Sequence, residues 1–207
     1  MSMFWCAFEI YRDPQLLRDI RLEAESCMIS RSTDGEVEFD TDALVRQPLL
    51  QAVFIETLRL RVHGFILRYP STSDLQVNEW TFPKKNIVLT CATTAHLNPD
   101  IWSTAQWGSK PANVFWPGRF LKHTRDGKVE FTLEGTEGSF VAFGGGVHAC
   151  PGRHFAKREV LRTIALLVTL FDVEVMDERG AMEMSAVKFG FGLLGPTGKV
   201  PARMRRR

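Results

Sequence analysis

The first residues, MSMFWCAFEIY, are apolar at most positions and have no capping residue ahead of them, the pattern of a helix interior ending near Tyr11. Asp13 can cap a second helix and Pro14 suits its first turn. With Leu16, Leu17 and Ile20 on one face, the spacing predicts a helix from about Pro14 to Ser26. The polar run SRSTDGEVEFDTD, residues 30–42, reads as a surface loop. From Asp42 the pattern is helical again, and Leu50, Phe54 and Leu58 recur four apart in a stretch that is apolar on nearly every side. Between Gly64 and Leu89 the period shortens, and β-prone runs around a Pro-Lys-Lys-Asn turn predict a small antiparallel sheet. Residues 93–142 are rich in Pro, Gly, Asn and Trp, with a turn at Asp126–Gly127. So long a stretch without periodicity is unusual unless function requires the loop. After Pro151 comes GRHFAKREVLRTIALLVTLFDVEV, almost continuously apolar from Ile164 to Phe171, a helix that must be buried. The tail from Lys188 reads as strand, turn, strand, with its terminal arginines a solvated end. The fold class expected is mainly α with small antiparallel β-sheets.

Composition changes this picture little. The 207 residues suit a single domain, and 26 Lys and Arg against 24 Asp and Glu leave a formal charge of +2, too slight to indicate nucleic acid as a partner. Fifteen Phe and five Trp against two Tyr suit an apolar pocket or an ordinary core equally. Cys6, Cys27, Cys91 and Cys150 contain no pair at metal-ligand spacing and no disulfide framework. No signal peptide is visible in these residues, and no apolar run among them reaches the roughly 18 residues of a membrane span. The chain reads as intracellular.

The stretch FGGGVHACPGRHFA, Phe143 to Ala156, carries the chemistry. A thiolate that holds a large planar cofactor needs a loop that can approach the ring closely, which residues without a Cβ allow, and Gly144, Gly145 and Gly146 suit that role. A cysteine just ahead of a proline-started helix has backbone N–H groups and the positive helix end aimed at its sulfur, which favours the thiolate. Elsewhere, Glu56 and Arg59 lie three apart on one helix face, which by spacing alone is a solvent-facing ion pair of little weight.

Phe143, Gly146, His148, Cys150 and Gly152, followed by Ala156, match the signature Phe-x-x-Gly-x-basic-x-Cys-x-Gly, and on these residues the chain resembles the cytochrome P450 family of haem-thiolate monooxygenases. The resemblance implies haem as cofactor, with Cys150 as axial iron ligand, Phe143 packed near it and His148 where a basic side chain reaches a propionate. It also revises the reading of the ion pair. Glu56-Thr57-Leu58-Arg59 matches the family's Glu-x-x-Arg, and Arg119 in FWPGRF matches the arginine that joins it to form a buried triad. The family usually has an acidic residue where this chain has Gly118. TTAHLNPDIW matches the segment after the small sheet, so His96 stands either near a propionate or in a surface turn.

The likeness covers residues 1–207 as one partial domain, the carboxy-terminal haem-binding part of the P450 fold, truncated within its long central helix. It is closest in character to the eukaryotic microsomal type, with some likeness to the branch of sterol hydroxylases and prostacyclin synthase. It implies oxygen insertion into a lipophilic small molecule, using molecular oxygen and electrons from an NADPH-dependent reductase. Arg153, Lys157, Arg158 and Arg162 form either a docking patch for that reductase or a solvated helix face. Other functions remain open: a donor-independent haem-thiolate isomerase, or a non-catalytic haem-binding or split-gene fragment. The parent protein is expected at the cytosolic face of the endoplasmic reticulum. A chain starting at Met1 is expected to leave Phe4, Trp5 and Phe8 uncovered, to hold haem weakly, and not to insert oxygen by itself.

Overall fold

The computed structural model describes residues 1–32, 34–104, 110–181, 189–190 and 192–207. Helix α1 (Ser2–Arg12) passes into α2 (Pro14–Ser26) through Asp13, whose carboxylate accepts from the N–H groups of Gln15 and Leu16 at 2.9 and 3.0 Å. The expected loop after α2 is instead a hairpin, β1 (Met28–Arg31) with β2 (Val37–Phe39). Its polar composition conceals one alternating pair, Val37 and Phe39, of which Phe39 is buried and anchors the ribbon.

The helix expected from Asp42 is in fact two. A single turn, α3 (Thr41–Leu44), is capped by Asp40, and α4 (Pro48–Arg61) starts afresh because Pro48 has no N–H to donate and disfavours helix at the residue before it. Gln47 provides no side-chain cap for α4. The carboxylate of Glu23 does so from α2, accepting from Leu49 and Leu50 N–H at 2.8 Å each.

The expected small sheet is two ribbons. Strands β3 (Phe65–Arg68) and β6 (Val88–Cys91) pair antiparallel, and between them β4 (Leu75–Val77) and β5 (Trp80–Phe82) form their own hairpin. The tight turn of that hairpin is at Asn78, which adopts φ +51, while the Pro83–Asn86 turn leads on into β6. In the stretch of low periodicity, α5 (Ala92–His96), α6 (Pro99–Trp102), a 3₁₀ turn at Pro117–Phe120 and the hairpin β7 (Leu121–His123) with β8 (Val129–Phe131) alternate with loop. Gly127 makes the β7–β8 turn at φ +80.

Helix α7 (Arg153–Leu170) follows Cys150 and buries Val160, Leu161, Ile164, Ala165, Val168 and Thr169. The five apolar ones pack with Cys6, Ile10, Ile20, Leu50, Phe54 and Leu58 into one core shared by α1, α2, α4 and α7. Strand β9 (Phe171–Val175) then pairs with β10 (Ala202–Arg206). The terminal arginines are therefore an edge strand, and Arg203 and Arg205 reach Glu174 and Asp172 at 3.3 Å. The expected first strand of the tail lies partly outside the described residues; where it is described, Gly190 and Leu193 bridge to Gly64 and Val62.

Trp5 and Phe8, expected bare, are buried. They pack with Ala181, Val175, Leu193 and Val200, and the Trp5 indole N–H donates to the carbonyl of Leu194 at 2.7 Å. The chain's own carboxy-terminal segment covers them. Among the described residues, no helix is long and apolar enough to cross a membrane.

Candidate functional site

Two regions carry the expected site residues. The first is centred on α4. Burying ten of the fourteen residues of α4 takes Glu56 and Arg59 inside, both wholly inaccessible to solvent. Three-residue spacing lets them meet in a two-pronged pair, Arg59 Nε to Glu56 Oε2 at 2.7 Å and Nη2 to Oε1 at 2.9 Å. Arg119, delivered by the 3₁₀ turn, donates from Nε to Glu56 Oε1 at 3.1 Å. The guanidinium nitrogens left over are met by backbone carbonyls: Arg59 Nη1 donates to His96 and Ala112, and Arg119 to Trp102, Lys110 and Pro111. The solvent-facing reading of the ion pair is thus wrong, and the spacing could not show it because burial is decided by what packs on every side of α4. Burial pushes the Arg119 guanidinium below its ordinary pKa, opposed by the Glu56 carboxylate beside it.

His96 is placed neither in a surface turn nor on the wall that holds His148. It is buried, stacks on Phe140 at 5.5 Å, and its Nε2 accepts from Val141 N–H at 3.0 Å. Its backbone carbonyl is one of the two that Arg59 grips. The residue therefore links the charged cluster to the segment that leads into Phe143. Burial pushes its imidazole down to about 4, so it stays neutral and keeps a lone pair for Val141.

The second region is the Cys150 loop. Gly144 and Gly146 adopt φ +73 and +63, the left-handed region that favours glycine, and fold the chain back so that Cys150 N–H donates to the Phe143 carbonyl at 2.8 Å. Phe143 packs on Phe54 of α4, with ring centroids 6.4 Å apart. Pro151 and Gly152 form a turn, and α7 begins two residues later than Pro151, with Ala156 N–H donating to the Gly152 carbonyl. A Cβ at Gly152 would stand 3.8 Å from Cys150 Sγ, so glycine leaves that side of the sulfur uncovered. Cys150 is an exposed free thiol.

Around it, apolar side chains face outward: Val147 is 95% exposed and Phe155 73%, and Leu67 is exposed on β3. Arg68, which sequence reasoning passed over, donates to the Gly145 carbonyl at 3.3 Å and lines with His148, Leu67, Tyr69 and Ser71 a cavity of about 530 Å³. Its signal was a lone cation closing the apolar run GFIL. The arrangement suits haem: a bare thiol, a loop without Cβ atoms, oily side chains turned to solvent, and two basic side chains at one edge.

Of the four basic residues on α7, the structure removes Lys157 from the open face. It is half-buried, hydrogen-bonded to Gln51 and 5.8 Å from the centre of the Phe131 ring. Arg158 pairs with Asp42 at 2.7 Å, Arg153 turns back to the Cys150 carbonyl, and Arg162 is exposed.

A cysteine displayed from a glycine loop and a buried Glu–Arg–Arg cluster are thus both attached to α4. The model of the cytochrome P450 family matches residues 1–201, and the chain belongs to that family, whose members bind haem and act as oxidoreductases. It is 32% identical to cytochrome P450 monooxygenase efuG of Hormonema carpetanum, over 98% of this chain and 40% of that one. It is 38% identical to cytochrome P450 monooxygenase calL of Penicillium decumbens, over 84% and 31%. With the human 7-alpha-hydroxycholest-4-en-3-one 12-alpha-hydroxylase it shares 31% identity over 99% and 41%. The chain spans 31 to 42% of the length of the curated relatives it matches.

Proposed function

We propose that residues 1–207 are the haem-binding part of a P450 monooxygenase acting on a lipophilic small molecule, with Cys150 as the thiolate that would hold the haem iron. The single observation that carries this reading is the Cys150 loop: an exposed free thiol flanked by the exposed side chains of Val147 and Phe155. In this proposal haem, when bound, supplies the oxygen-activating iron chemistry. The protein's residues do the rest. Cys150 Sγ would bind the iron and supply electron density to it. Gly144, Gly145 and Gly146 admit the ring to the backbone, Val147 and Phe155 exclude water from it, and Phe143 backs the loop. Arg68 and His148 hold acidic groups at one edge. Glu56, Arg59 and Arg119 fix His96, and His96 fixes Val141, two residues before Phe143, so the charged cluster sets the position of the sulfur.

A reductase is the proposed electron donor, and Arg158 and Arg162 are the α7 cations best placed to meet an acidic one. In the full-length protein, Arg162→Glu should slow electron transfer, and added salt should slow the unmodified protein. A location at the endoplasmic reticulum, and coupled oxygen insertion, belong in this reading to the full-length architecture and not to residues 1–207 alone.

The test is spectroscopic. Reconstituted protein should give the red-shifted ferrous carbon-monoxide band of thiolate ligation, and Cys150→Ser should abolish it. An unchanged band in the serine variant would sink the assignment.

A further inference from the structure

The backbone conformation at Gly118 does not by itself require a glycine. It sits in the 3₁₀ turn Pro117–Phe120 and is not among the residues with positive φ, so an ordinary residue could adopt its conformation. What excludes a side chain is the neighbour two residues back. A Cβ at 118 would lie 2.5 Å from both Cε2 and Cζ2 of the Trp116 indole, far inside contact distance.

The same indole has a second relation to the site. Its ring centre is 5.8 Å from the Arg119 guanidinium, while Trp116 N–H donates to Glu56 Oε1 at 3.0 Å. Among the described residues, the buried cluster sets two guanidinium groups against one carboxylate. Each guanidinium has an indole beside it, Arg59 lying 5.1 Å from the Trp102 ring centre. An aromatic face carries partial negative charge and attracts a cation within about 6 Å.

We propose that Trp116 and Gly118 form a coupled positioning pair for Arg119. The glycine makes room for the indole, and the indole lies beside the Arg119 guanidinium, so a side chain at 118 and the ring at 116 compete for one space. The pair's effect on haem rests on the haem-thiolate reading above, whereas the coupling does not.

The experiment compares residues 1–207 unmodified with Gly118→Glu, Trp116→Ala, the double variant and Trp116→Phe. On the apo chain, the urea midpoint read by far-ultraviolet circular dichroism should fall for each of the first two single variants. The double variant should be no less stable than Trp116→Ala, because the new carboxylate fits the space the ring has left beside Arg119. Additive losses in the double variant would overturn the proposal. Should Gly118→Glu fail to fold, folding of the double variant is the expected rescue, and its failure while Trp116→Ala folds would also overturn it.

On the haem-loaded chain, Gly118→Glu and Trp116→Ala should lose haem to apomyoglobin several-fold faster and shift part of the ferrous carbon-monoxide band away from its thiolate position. Trp116→Phe, which keeps a ring, and the double variant should restore the band. A purely structural role would move the midpoint and leave the band in place, and that result would refute the positioning role. Coupling in the apo chain, with no thiolate band from any protein including the unmodified one, would leave the pairing standing and remove the haem reading instead.

Discussion

Glu56 and Arg59 are wholly buried and hydrogen-bonded on every side, while Cys150 and its neighbours Val147 and Phe155 stand in solvent, although both regions are fastened to α4. The difference lies in who supplies the partner. Buried charges cost several kcal/mol each unless their hydrogen bonds are satisfied, and here backbone carbonyls from three segments complete the set. Nothing among the described residues does the equivalent for the oily surface at the loop. The first region is finished by the polypeptide; the second is shaped to be finished by something flat and apolar.

The largest expected effect comes from breaking the finished region. Glu56→Ala leaves two guanidinium groups buried without their carboxylate and should destabilise the apo chain by about 3 to 5 kcal/mol in urea unfolding. A double-mutant cycle should show Glu56 and Arg119 strongly coupled. Independence of the two would mean that the cluster is not one unit.

Next in size is the link between the two regions. The His96 imidazole is held down at about 4 by burial, with Arg59 and His63 nearby also disfavouring its charge. An unfolded histidine titrates near 6.5, so the unfolded chain binds the extra proton first as pH falls. The stability held above pH 6.5 should therefore decline between 6.5 and 4 by about 3 kcal/mol from this residue. His96→Gln keeps an acceptor for Val141 N–H and does not titrate. The difference between the two proteins' stability curves should be confined to that window, and parallel curves would show that His96 does not titrate there.

Smallest is the open region tested alone. Phe155→Asp puts a carboxylate in the first turn of α7 and touches no core, so apo stability should change by no more than about 0.5 kcal/mol. Haem uptake should nevertheless weaken, seen by titration. A large stability loss in the apo chain would contradict the contrast between the two regions.

Helices α1, α2 and α7 are legible in the sequence because local signals agree there: Asp13 with Pro14, and a continuous apolar run in α7. The β1–β2 hairpin is not legible, since among its residues only Phe39 is fully buried and most of the others look like loop. The Cys150 motif reads directly because its residues are neighbours in the chain. Arg68 and the linking role of His96 do not, because their partners, Gly145 and Val141, lie 77 and 45 residues away.

The sequence by itself determined the thiol, the glycines before it and the spacing of Glu56 and Arg59, all matters of adjacent residues and of helix period. Tertiary structure alone decided that the ion pair is buried, that Trp5 is covered by the Leu193–Leu194 segment, that Lys157 leaves the basic face, and that His96 braces the loop instead of lining it. The physical reason is common to all four. Burial and hydrogen-bond partnership depend on which distant segment arrives at a side chain, and no local pattern records that arrival.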